Sequence, residues 1–156
     1  YSPMSYHNGS LWPHDNALIA LGLRRYRLID EACRVVTRIF DAAAYMDLRR
    51  LPELFCGFRR RAGSGPTFYP VACSPQAWAS AAPFALLQAC IGIEFDPAAG
   101  VVWFRRPRLP HFLDEVRIRG LSLPQGRLDI VLRRYGEDVS GNVLDREGPV
   151  SPAVAL

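Results

Sequence analysis

The sequence predicts a mainly α-helical fold followed by a small antiparallel β region. Apolar residues recur at spacings of three and four over residues 13–43 and again over 74–92, the signature of helices with one buried face. After Gly92 the period changes to alternation, the signature of half-buried strands. Two units follow from that change, a helical one at 1–92 and a β one at 93–156.

In the first helix, Ser10 is the expected cap and Pro13 sits early, where no intrahelical donor is needed; Leu18, Ile19, Leu21, Leu23 and Tyr26 continue it. The second helix carries one apolar stripe of Ile29, Ala32, Cys33, Val36, Ile39, Phe40 and Ala43, with Arg34, Thr37, Arg38 and Asp41 turned away. A short linker makes the two antiparallel neighbours. Over residues 48–73 the helical period is lost among Pro52, Gly57, Gly63, Gly65, Pro66 and Pro70, while Phe55, Phe58, Phe68 and Tyr69 argue for an ordered loop. Ser74 and Pro75 then read as the cap and first position of an alanine-rich third helix that runs towards Gly92. Three helices are too few to close a bundle around such apolar faces, so the chain reads as part of a larger helical assembly.

Beyond Gly92, residues 93–95 and 101–104 flank a turn at 96–100 and read as a hairpin. The alternating runs at 115–119 and 127–133 extend the sheet. The segment from Glu137 onwards is rich in Gly, Pro, Ser and Asp and reads as an irregular tail, with at most an edge strand around 139–143.

Composition excludes several functions. The 156 residues are 49% hydrophobic and 11% aromatic, enough for a core. No apolar run reaches the roughly 20 residues of a membrane span, so no membrane partner is expected and the protein reads as soluble and cytoplasmic. The net charge of +4 rests on 19 arginines with no lysine, and no aromatic RNA-binding signature accompanies the runs at 59–61 and 105–108, which argues against a nucleic-acid partner. Cys33, Cys56, Cys73 and Cys90 form no C-x-x-C pair, so neither a metal nor another cofactor is expected.

Chemistry concentrates in three segments. Residues 6–16, YHNGSLWPHDN, enter the first helix with the flat indole face of Trp12 and the hydrogen-bonding side chains of His7, Asn8, His14, Asp15 and Asn16, a combination suited to a sugar. A plain helix cap with Trp12 in the core accounts for single residues of it equally well. In the second segment Glu53 lies between apolar and aromatic neighbours in LPELFCGF at 51–58, where desolvation would raise its pKa; an ordinary loop carboxylate paired with a nearby arginine is the simpler alternative. The third, YPVACSPQAW at 69–78, combines a rigid turn, a helix start and a second indole, with Gln76 and Trp78 as further cleft candidates.

In order and spacing, residues 6–16, PELF at 52–55 and residues 69–78 resemble the C-terminal part of amylo-α-1,6-glucosidases and glycogen-debranching-like glycoside hydrolases. The resemblance spans most of residues 1–92. It implies a partial (α/α) toroid of antiparallel helical hairpins, closed by a small β region, and an inverting hydrolysis of α-glucosidic substrates. It places the general base at Glu53 and substrate-binding residues at Tyr6, His7, Trp12, His14, Asp15 and Tyr69. The general acid is expected upstream, in an N-terminal remainder of the same enzyme, which leaves this chain inactive alone. Open helix faces would be covered by that remainder or by a second copy in a homodimer. A noncatalytic carbohydrate-binding or structural module would use the same aromatics without chemistry, and an arginine-driven anion or nucleic-acid binder would betray itself by steep salt dependence.

Overall fold

In the computed structural model, which describes residues 1–155, the chain divides into two compact units, 1–87 and 88–156. Within the first, Pro13 opens helix α1 (Pro13–Arg25), its missing N–H falling where no partner is required. The cap position is Trp12, without a side-chain cap; Ser10 instead donates its hydroxyl to the Ser5 carbonyl at 2.6 Å. The expected Ser10 cap is therefore replaced by a bond that folds the entry segment on itself. At the other end, Leu28 N–H reaches Leu23 O at 2.9 Å and Arg27 N–H reaches Arg24 O at 2.8 Å, a Schellman closure. It turns the chain at once into helix α2 (Ile29–Ala43), whose stripe buries Ala32, Val36 and Ile39 against α1. Together they make an antiparallel hairpin.

Helix α3 (Ala77–Ile91) starts three residues later than its expected Ser74 cap; Ser74 and Pro75 lie in a bend of the preceding loop. Trp78 and Phe84 on α3 are 65% and 77% exposed. The loop between α2 and α3 is ordered by backbone pairing. Phe55 bridges Leu11 on one side and Phe68 on the other, both antiparallel. Leu51, Leu54 and Phe55 are buried beneath it, with Phe55 only 2% exposed.

In the second unit, strands β1 (Ile93–Asp96) and β2 (Val101–Arg105) form the expected hairpin, with Ile93 opposite Phe104 and Asp96 opposite Val101. Strands β3 (Glu115–Leu123) and β4 (Gly126–Tyr135) form a second, longer one. The presumed tail is also strand: β5 (Asp138–Glu147) pairs antiparallel with β4, and β6 (Ser151–Ala155) pairs parallel with β2. Two three-stranded sheets result, β1-β2-β6 and β3-β4-β5. Leu128, Ile130, Val131 and Leu132 on the central strand β4 are fully buried.

These elements overturn the expected fold class. Among the described residues helix and strand each take about 30%, in three α-helices and six strands, so the fold is not a mainly α toroid of helical hairpins. The reason lies in β5 and β6. Strand β5 is polar and contains Gly141, and β6 is a short run that contains Pro152; both have weak strand propensity and are strands through their pairing with β4 and β2. Among the described residues no helix is long and apolar enough to cross a membrane, and no cluster of three His, Cys, Asp or Glu is placed to hold a metal ion. Among the described residues, Cys33, Cys56, Cys73 and Cys90 form no disulfide.

Candidate functional site

The site is assembled on the short ladder formed by Leu11, Phe55 and Phe68. Leu11 and Phe55 exchange both backbone bonds, Leu11 N–H to Phe55 O at 2.8 Å and Phe55 N–H to Leu11 O at 2.9 Å. Two residues further on, Gly57 N–H bonds Pro3 O at 2.8 Å, which ties down the entry segment. That approach is so close that a Cβ on Gly57 would collide with Gly9 O and lie 2.9 Å from the Tyr1 hydroxyl. Gly57→Ala is accordingly expected to cost about 1–3 kcal/mol and to release residues 1–10 as a protease-sensitive segment. Urea unfolding and limited proteolysis check both effects, and wild-type behaviour in both would refute the account of this contact.

Two residues before Phe55, the ladder delivers Glu53 into the centre of the site. Its own N–H is held by Cys73 O at 2.8 Å, and its side chain is 8% exposed. The carboxylate accepts the Tyr6 hydroxyl on Oε1 at 2.6 Å and the Cys73 N–H on Oε2 at 3.2 Å. Both bonds favour the charged form. The Tyr6 bond, then the Cys73 bond, hold the Glu53 pKa below its ordinary 4.5, and burial opposes them without prevailing. The expected rise is thus reversed, because the local sequence reveals the apolar neighbours but not the distant donors. The simpler alternative of a loop carboxylate paired with arginine also fails, since Glu53 forms no ion pair among the described residues.

The same bond, followed by burial, pushes Tyr6 up from 10.0 to about 12. The two shifts have opposite linkage signs. Stability from the depressed Glu53 is present above pH 4.5 and is lost as pH falls through the folded value. Stability from the raised Tyr6 is present below pH 10.0 and is lost as pH rises towards about 12. The difference in unfolding free energy between wild type and Tyr6→Phe should therefore form a plateau across neutral pH and fall at both ends. A difference independent of pH would contradict the bond.

Around this pair the aromatic rings of all three segments meet. The Tyr6 ring lies 4.9 Å from Trp12 and 5.7 Å from Tyr69, both edge-on. His7 stacks on Trp12 at 6.1 Å with 13° between the planes. The Trp12 indole N–H donates to Tyr6 O at 3.2 Å, and Asn16 caps the turn by donating to Trp12 O at 2.8 Å. On the far side of Trp12, His14 lies 5.5 Å from it and 4.8 Å from Trp78. Tyr6, His7, Trp12, His14, Glu53 and Tyr69 thus form one connected cluster. Asp15 stands apart. Its side chain is 59% exposed and lies 3.5 Å from His14 Nε2, with no bond to Glu53.

Neither a family profile nor a curated protein matches the chain. The site must therefore be read from its own chemistry. It holds an ionised, nearly buried carboxylate, a wall of indole and phenol rings, and two buried atoms with no partner among the described residues, His14 Nδ1 and Gln76 Oε1. Sequence reasoning missed the Cys73 backbone, which grips Glu53 from both sides. A signal for it exists: Cys73 lies between Pro70 and Pro75, where no helix or strand claims its N–H and C=O.

Proposed function

We propose that this chain belongs to a cytoplasmic inverting glycoside hydrolase acting on α-glucosidic, glycogen- or oligosaccharide-like substrates, and that Glu53 is its general base. The observation that carries the reading is the bond pattern at Glu53, in which a phenol and a backbone N–H keep a nearly buried carboxylate ionised. Such a group suits a base far better than an acid. It would take a proton from water as the water oxygen bonds the anomeric carbon, while a carboxylic acid on the other face of the sugar gives a proton to the departing glycosidic oxygen. The two carboxyl groups of an inverting pair stand about 6.5–9.5 Å apart. That acid is assigned to another segment of the same enzyme.

Substrate binding falls to the ring cluster. Trp12 and Tyr69 offer flat apolar faces to the C–H side of a pyranose, and His7 supports Trp12 by stacking. His14 Nδ1 and Gln76 Oε1 supply acceptors for hydroxyl protons. The exposed Leu18, Ile19 and Phe84 of α1 and α3 give the rest of the enzyme, or a second copy, an apolar surface to cover.

The test is a titration of the chain with maltotriose, followed by indole emission at low and high salt. The reading requires a saturable change that persists in high salt and disappears in Trp12→Ala. A flat titration, or one abolished by salt, would count against a sugar site.

A further inference from the structure

A second cleft, of about 800 Å³, opens between α2 and the loop after Phe55. Its lining contains none of Tyr6, Trp12, His14, Glu53 or Tyr69. The volume lies within the roughly 300–1,000 Å³ of small-molecule sites. We propose that this cleft binds a phosphate ester, its phosphoryl group held by Arg38, Arg59 and Arg61 and its apolar body resting on the cleft floor. The proposal is independent of the glycosidase reading.

Charge carries the argument. Five arginines line the cleft: Arg34 and Arg38, one helical turn apart on α2, and Arg59, Arg60 and Arg61 from the loop. Two of them are already matched, Arg34 by Glu31 at 2.9 Å and Arg60 by Asp41 at 2.9 Å. The Arg60–Asp41 pair also pins the loop to the helix, so the remaining charges are presented by a fixed wall rather than a free strand. Five minus two leaves Arg38, Arg59 and Arg61, none of which forms an ion pair among the described residues. Asp41 is the sole carboxylate of the lining and is engaged.

Three arginines without a carboxylate partner around one concavity favour the entry of an anion. Guanidinium forks match phosphoryl oxygens in geometry as well as charge. A phosphoryl group is the better fit than a carboxylate, since its three terminal oxygens and double charge can engage three guanidiniums approaching from two elements. The floor, with Leu11, Ile39 and Phe55, is apolar and asks for more than inorganic phosphate. A polynucleotide is disfavoured because its footprint is an extended basic stripe, whereas this lining is concave.

The experiment is calorimetric titration of the full chain with p-nitrophenyl phosphate, inorganic phosphate and a single-stranded oligonucleotide, each at two salt concentrations. The expected result is saturable one-to-one binding of p-nitrophenyl phosphate, tighter than inorganic phosphate. The double variant Arg38→Gln/Arg61→Gln should weaken it tenfold or more, while Arg119→Gln on β3 should leave it unchanged. Absence of saturable binding, or equal weakening by Arg119→Gln, would overturn the proposal. So would an oligonucleotide that binds with steep salt dependence while p-nitrophenyl phosphate does not.

Discussion

In the proposed hydrolase, Glu53→Gln is expected to lower kcat for α-glucoside hydrolysis by about 10²–10⁴-fold, the usual worth of a positioned proton-transfer group, with much less change in KM. The amide keeps the size of the side chain and can still accept the Tyr6 hydroxyl, but it has lost the charge that draws a proton from water. The pH profile gives a second, independent reading. Because Tyr6 and Cys73 hold the carboxyl below 4.5, wild-type activity should persist to mildly acidic pH and fall only beneath that value. Tyr6→Phe removes the larger cause of the depression and should move the acid limb upward. A Glu53→Gln enzyme of undiminished kcat, or an acid limb that Tyr6→Phe leaves in place, would remove Glu53 from the mechanism.

Phe55→Ala should be the most damaging core substitution near the site. The side chain is among the largest that are fully buried, and removing it costs about 3–5 kcal/mol in a packed interior. Its backbone also joins Leu11 to Phe68, so the cavity lies under the ladder that positions Glu53 two residues earlier and Trp12 next to Leu11. Both stability and site geometry should suffer. Urea unfolding should show a lower midpoint with an unchanged slope, and the Trp12 emission should shift towards solvent-exposed values before the transition begins. A loss below about 1 kcal/mol would mean that the loop is held chiefly by its backbone bonds rather than by this ring.

What the sequence discloses follows the range of the interactions involved. The α1–α2 hairpin was legible because Pro13 and the Ala32, Val36, Ile39 stripe are local signals. The first β-hairpin was legible for the same reason, its turn lying between two apolar runs. Strand β6 was not, since its parallel pairing with β2 joins residues about fifty positions apart and leaves no local trace. Strand β5 is legible only as a short edge strand around 139–143: Ser140, Gly141, Asn142 and Asp145 give its composition the look of a solvated tail, and β4 supplies the backbone partners that extend it to Asp138–Glu147. The three site segments were legible as segments through their unusual density of rings and polar groups. Their convergence, the Tyr6 bond to Glu53 and the resulting fall in its pKa depend on contacts spanning twenty to forty-seven residues. No window of the sequence contains them.

The central claim is that Glu53 activates the water that attacks the sugar. It is tested most directly by replacing the carboxylate with a small external anion. A Glu53→Gly variant of the complete enzyme would be given α-glucosyl fluoride, whose leaving group needs little protonation, with and without sodium azide. This assay separates the base from the acid. The account predicts almost no turnover without azide and formation of β-glucosyl azide with it, the azide entering the face that Glu53 has vacated. Wild-type turnover by the variant without azide, or an azide product of retained α configuration, would contradict it.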